Sequence, residues 1–81
     1  VCLFVTDFPP GRGPVLHRHP YEETFVVHDG VATFTVNGET IEATVGQVVV
    51  VPAGTTHRYE NATQGRLRVL SVHPRPVVEQ E

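Results

Sequence analysis

Three side chains with metal-ligand chemistry lie close together in the stretch 11–30, GRGPVLHRHPYEETFVVHDG: His17, His19 and Glu23. In an extended segment side chains alternate with period two, so these odd-numbered residues point to one face. Burying two imidazoles and a carboxylate together strips their hydration and opposes ionisation of the carboxylate. A divalent transition metal removes that penalty, because Fe, Mn, Co, Ni or Zn accept imidazole nitrogen and carboxylate oxygen in one coordination sphere. Glu22 competes with Glu23 for the carboxylate role. Parity favours Glu23, since a shift of one residue sends a strand side chain to the opposite face, and Glu22 is then a surface or rim charge. Taken alone, the stretch also fits exposed loop histidines beside a solvated Arg18, Glu22 and Glu23 cluster, and structural context must decide.

That context comes from the stretch 46–61, GQVVVVPAGTTHRYEN. His57 follows a Pro-x-Gly turn, which can aim the first side chain of the next strand back into the fold and supply a fourth ligand. Tyr59 shares the parity of His57 and is the candidate catalytic residue, presenting its hydroxyl near a metal as a donor or acid. The alternative is a core or rim tyrosine with a structural hydrogen bond. His28 has the wrong parity and adjoins a turn, so it is expected at the surface; His73, at the end of the last strand beside Pro74, could reach the cavity mouth, with a surface position the expectation. Cys2 has no activating neighbour in the sequence and reads as a small core or edge residue.

The elements that position these groups are all strands. Valine is abundant, as in Val48-Val49-Val50-Val51, and Pro and Gly fall at short intervals between apolar segments, the pattern of an all-β sandwich or barrel of short antiparallel strands. Expected strands are 1–8, 15–19, 24–29, 31–36, 40–45, 47–51, 57–60 and 66–73. Asn37-Gly38 marks a type I′ hairpin. Ala32, Phe34 and Val36 should face the core, as should Ile41, Ala43 and Val45 on the return strand. The run 47–51 lacks alternation and reads as buried on both faces, between sheets or against a second subunit. Phe25, Val27, Phe34, Val36 and Ile41 are expected to line a small, mostly apolar cavity.

Composition narrows the class further. The 81 residues suit one small domain, expected over 1–73, with 74–81 as a tail that needs a partner to order it. One cysteine excludes an intramolecular disulfide, leaving metal binding or dimerisation as supports. The net charge is −3, and the six basic residues, all Arg, form no stripe, which argues against a nucleic-acid partner. No apolar run is long enough to span a bilayer and no signal-peptide pattern opens the chain, so a soluble cytoplasmic protein is expected. The chain begins with Val and has no Met, which suggests that upstream residues, including a strand, are missing.

The two motifs together resemble the cupin superfamily. Its first motif, Gly, five residues, His-x-His, three or four residues, Glu, six residues, Gly, is matched by Gly11, His17, His19, Glu23 and Gly30. Its second, Gly, five residues, Pro-x-Gly, two residues, His, three residues, Asn, is matched by Gly46, Pro52, Gly54, His57 and Asn61. The intermotif segment 31–45 has the short length of single-domain bacterial members. One departure is Gln47, where the family often has Asp after the motif glycine. The resemblance implies a jelly-roll β-barrel with His17, His19, Glu23 and His57 as metal ligands.

Three functions are compatible with that fold. A metal centre with two open positions can work as a Lewis acid in isomerisation, decarboxylation or hydrolysis, or activate dioxygen if the ion is Fe(II), on a small organic molecule. A binding or sensor module would hold such a molecule without turnover, and fold alone does not separate the two. The third is a structural role as a dimerisation domain, with 1–8 and 48–51 as the interface, because exposed edge strands invite pairing; a homodimer is expected in any case.

Overall fold

The computed structural model describes residues 1–75 and Val78. Along 67–73 the odd residues Leu67, Val69, Ser71 and His73 are buried, while Arg68 is exposed and Leu70 and Val72 are half-buried. This is the two-residue period of a strand packed on one face. The same logic gives seven strands among the described residues: β1 (Cys2–Phe8), β2 (Glu23–Asp29), β3 (Val31–Val36), β4 (Glu39–Thr44), β5 (Val48–Val51), β6 (His57–Glu60) and β7 (Leu67–His73). They form a four-stranded sheet in the order β1-β7-β2-β5 and a three-stranded sheet in the order β4-β3-β6, with every pairing antiparallel. The fold is all-β, as the strand pattern indicated, and is the jelly roll that the family resemblance implied.

The two sheets enclose Phe25, Val27, Ala32, Phe34, Ala43, Val51, Tyr59, Leu67 and Val69. Phe25, Phe34 and Tyr59 pack ring against ring at centroid separations of 5.0 to 5.3 Å. Burying one such phenylalanine contributes about 1.5–3 kcal/mol. The Asn37-Gly38 hairpin forms as expected, with φ of 49° and 83° at the two turn residues.

Several expectations are corrected. The segment 15–19 is not a strand: its only ladder contact is an isolated bridge between His17 and His57. Pro14 and Pro20 bracket it and cannot donate ladder hydrogen bonds. Ile41 and Val45 are exposed and only Ala43 of that trio is buried, because β4 lies at a sheet edge and ends at Thr44. The run 47–51 is not buried on both faces: Val51 is buried, whereas Val48 and Val50 are exposed. Pro76, Val77 and residues 79–81 of the expected tail lie outside the described residues.

Loop geometry is set by side-chain acceptors and by glycine. Gln47 Oε1 accepts from the Thr44 amide at 2.7 Å and from its hydroxyl at 3.2 Å, tying the β4–β5 turn. Asn61, fully buried, donates to the carbonyls of Phe8 and Gly65 at 3.0 and 2.7 Å and accepts from the Thr63 amide and hydroxyl at 3.1 and 2.7 Å. Gly30 connects β2 to β3 with φ of +86°, and a Cβ there would lie 2.3 Å from the Arg66 carbonyl oxygen. Gly38 has a similar φ of +83° but open space around it. Left-handed strain costs roughly 1–2 kcal/mol for a non-glycine residue, so Gly38→Ala should lose about that much. Gly30→Ala should lose more, because backbone must also move, and its melting temperature should fall further below wild type by calorimetry, at about 4–8 °C per kcal/mol in a domain of this size.

Candidate metal centre

Three pieces of backbone deliver the four ligand candidates. Glu23 is the first residue of β2 and His57 the first of β6, so the two sheets contribute one each. The 15–20 segment supplies His17 and His19. It is docked by paired backbone hydrogen bonds between His17 and His57 at 3.0 and 2.8 Å, and by the Gly54 amide donating to the His19 carbonyl at 2.8 Å. The Pro-x-Gly turn therefore both aims His57 inward and anchors the histidine segment.

One ligand atom from each of His17, His19, Glu23 and His57 can be chosen so that all four lie within 4.8 Å of one another. Glu23 is 3 % exposed and Glu22 is exposed, as parity required. Nε2 of His19 and of His57 approach the same oxygen, Glu23 Oε1, at 3.0 and 3.1 Å. His17 packs its ring against His19 and His57 at 4.8 and 4.5 Å between centroids.

The hydrogen bonds fix which nitrogens bear protons. A backbone carbonyl only accepts, so His57 Nδ1, 2.8 Å from the Thr55 carbonyl, and His17 Nδ1, 2.5 Å from the Val15 carbonyl, are both protonated. In neutral His57 the bare Nε2 would then face a carboxylate oxygen, lone pair against lone pair. Either a second proton on His57 or a cation beside Nε2 and Oε1 relieves that contact. Carbonyl-anchored imidazoles with the other nitrogen turned toward a carboxylate are the arrangement of a metal-ligand histidine. The four residues thus fit a divalent transition ion, and the chain carries a His/Glu cluster able to hold one.

The electrostatics agree. Burial pushes the Glu23 carboxyl upward, but hydrogen bonds from His57 and Ser71 and the neighbouring imidazoles outweigh it, so its pKa lies below the ordinary value. Burial likewise opposes charge on His57, yet the hydrogen bonds to Glu23 and Thr55 and the Glu23 charge raise its pKa overall. His17 is lowered, chiefly by burial and then by its imidazole neighbours, and is predominantly neutral at pH 7.

A cavity of about 220 Å³ opens onto the cluster, lined by Phe4, Thr6, Pro14, Phe25, Tyr59, Ser71 and His73 as well as ligand candidates. Phe25 lines it as expected, whereas Val27, Phe34, Val36 and Ile41 do not. Tyr59 also lines it. Its hydroxyl lies 3.1 Å from Thr6 Oγ1, and burial raises its pKa. His28 is exposed, in keeping with its parity.

His73 corrects the sequence reading. It is 5 % exposed, and its Nε2 lies 3.0 Å from Glu23 Oε2. Burial lowers its pKa. Ser71 donates to the same oxygen at 2.6 Å, and Tyr21 lies 2.7 Å from His73 Nδ1. The signal was available: Ser71 and His73 share parity with the core residues Leu67 and Val69, and only the Pro74 neighbour suggested a surface position.

Comparison with known proteins places the fold in a family. The family described as cupin domain matches residues 4–73. An uncharacterized protein of Streptomyces coelicolor is 40% identical over 58 residues, 72% of this chain and 54% of the relative, so the chain spans about half of that protein's length. A predicted oxalate decarboxylase from Thermotoga maritima superposes with a TM-score of 0.80 at 28% identity, over 85% of this chain and 61% of that one. The oxalate decarboxylase of Lactobacillus farciminis, solved as a formate complex, gives 0.89 at 26% identity over 98% of this chain and 25% of that one. With a family match across nearly all of its strands and both histidine motifs converging in one cavity, the chain belongs to the cupin family.

Proposed function

We propose that His17, His19, Glu23 and His57 hold one divalent transition ion, and that the domain acts on a small carboxylate-bearing molecule, with decarboxylation the reaction that the likeness to oxalate decarboxylases favours. The observation that carries the reading is the convergence of two imidazole Nε2 atoms on one carboxylate oxygen. When bound, such an ion supplies Lewis acidity toward substrate oxygens and, if it is Fe or Mn, redox chemistry. The protein supplies the rest. Glu23 stays ionised and offers a negative charge, His17 offers a bare nitrogen, and Phe4 and Phe25 give the cavity wall apolar surface. The cavity of about 220 Å³ is smaller than the pockets of about 300–1,000 Å³ that hold drug-sized ligands. That suits a molecule of a few heavy atoms.

A non-catalytic binding or sensor module is the second reading, and one observation favours it. Thr6 Oγ1 also lies 3.3 Å from the Val69 carbonyl, which only accepts, so the Thr6 proton goes there and Tyr59 donates its own proton to Thr6. Tyr59 can act as an acid toward a bound molecule only by giving up that bond.

The partner we propose is a second copy of the chain. Register places Leu3, Val72, Thr24 and Val50 in one row across the four-stranded sheet and Val5, Leu70, Val26 and Val48 in the next, all on the face away from the core. Leu3, Val5, Val48 and Val50 are each at least half exposed. Apolar patches of this kind are sites of association.

Elemental analysis of the purified protein should find about one transition ion per chain, and His57→Ala should lose it; full metal retention would remove His57 from the site. Below the raised pKa of His57, binding of Zn to the apo protein should release about one proton from that ring. The release should fade as pH rises through that pKa and vanish in His57→Gln, measured by calorimetry in buffers of different ionisation enthalpy. Carbon dioxide release from oxalate and related small acids separates enzyme from sensor, since a sensor would show ligand-induced melting shifts without turnover. Tyr59→Phe should keep its metal and lose about 1 kcal/mol of stability, the usual net value of one hydrogen bond. A loss of turnover at unchanged metal content would instead make Tyr59 catalytic. Light scattering at micromolar concentration should give the dimer mass for wild type and the monomer mass for Val5→Glu combined with Val48→Glu.

A further inference from the structure

We infer that Ser71 and His73, the latter oriented by Tyr21, are positioning residues that occupy one oxygen of Glu23 and leave the other as a single-point ligand for the metal ion. The inference rests on the metal-binding reading above and extends it to the number of positions left open for a substrate.

The protons can be traced atom by atom. Ser71 Oγ donates to Glu23 Oε2 at 2.6 Å, a length typical of a bond to a charged acceptor. A hydroxyl has one proton, so toward His73 the Ser71 oxygen can only accept. His73 Nε2 lies 3.0 Å from Glu23 Oε2 and 3.1 Å from Ser71 Oγ, two acceptors, and must therefore bear a hydrogen. Neutral His73 protonated at Nε2 has a bare Nδ1, and the Tyr21 hydroxyl at 2.7 Å donates to it. The result is a one-way chain from Tyr21 to His73 to Glu23, with Ser71 as the second donor on the same oxygen. All of its members are 5 % exposed or less.

The two oxygens of Glu23 thus have separate duties. Oε2 faces Ser71 and His73, while Oε1 faces Nε2 of His19 and His57, the side on which the ligand atoms gather. Turning the carboxylate so that both oxygens chelate would break two hydrogen bonds at once. Tyr21 also stacks on the His19 ring, with centroids 5.0 Å apart and planes at 11°, so one side chain braces both a ligand imidazole and the residue that orients the carboxylate.

Were the ion six-coordinate, three imidazoles and one carboxylate oxygen would leave two positions open, whereas a chelating Glu23 would leave one. Two open positions suit a molecule that binds through two oxygens, such as a dicarboxylate or a 2-oxo or 2-hydroxy acid.

Cobalt(II) added to the apo protein is the probe. Infrared difference spectra of the cobalt-loaded minus apo protein report how the carboxylate binds through the separation of its two stretching bands, wide for one-oxygen and narrow for two-oxygen ligation. The Glu23 bands are assigned by their loss in Glu23→Gln. Wild type should show the wide separation. Ser71→Ala and His73→Phe should narrow it and weaken cobalt binding about 10-fold or more, in the range typical of lost outer partners. His73→Gln, which can still present an N–H to Oε2, should keep the wild-type separation. A narrow separation in wild type, or an unchanged one in folded Ser71→Ala and His73→Phe, overturns the inference even if both variants melt earlier. Should Ser71→Ala fail to fold by circular dichroism, the His73→Phe and His73→Gln pair decides alone. Wild type that binds no cobalt overturns the metal-binding reading, and this inference with it, whereas cobalt bound with an unaltered band separation removes only the positioning role.

Discussion

A buried, ionised carboxylate is the constraint around which the centre is built. Glu23 sits at the inner end of β2 with almost no solvent contact, and an isolated charge in such a place is strongly disfavoured. Four polar side chains reach it: His19 and His57 at one oxygen, Ser71 and His73 at the other. Each comes from a different part of the chain or a different position on β7, so the charge is stable only when both sheets and the 15–20 segment are in place. The polar cluster therefore specifies the fold as much as the fold specifies the cluster.

Below the cluster the interior is apolar. Phe25 is the joint between the two regions, with its ring 5.1 Å from Phe34 and 5.8 Å from His57. Residues deeper along the strands, Phe34, Val27, Leu67 and Val69, fill the dry part of the barrel. This division explains why expected wall residues such as Phe34 do not line the cavity: successive inward residues of a twisted sheet reach different depths, and only those near the 15–20 segment meet the open end.

Much of this was legible in the sequence because period-two alternation assigns faces locally. It selected Glu23 over Glu22, exposed His28, and placed His17, His19 and His57 on a common side. The misreadings have a shared cause, which is that alternation says nothing about what covers a face or ends a ladder. Ile41 has inward parity opposite Phe34 but lies on an edge strand. Val48 and Val50 are apolar on a face that no part of the described chain covers. Histidines 17 and 19 keep their common direction although their segment pairs through only one bridge. His73 shows the opposite case, since its parity with Leu67, Val69 and Ser71 carries it inward even at the strand end beside Pro74.

The distribution of ligand candidates over the chain has a mechanical consequence. Glu23 belongs to the four-stranded sheet and His57 to the three-stranded sheet, while His17 and His19 belong to a segment fixed mainly by its bridge to His57 and its contact with Gly54. An ion bound by all four would cross-link the two sheets and the segment at the open end of the barrel, where the apolar core gives least support. Binding energy is then folding energy for that end of the molecule, and in a domain of this size such a staple is a large share of the total. Metal occupancy and the order of the cavity wall would then be coupled through His17 and His19, so that an ion held there would also shape the space beside it.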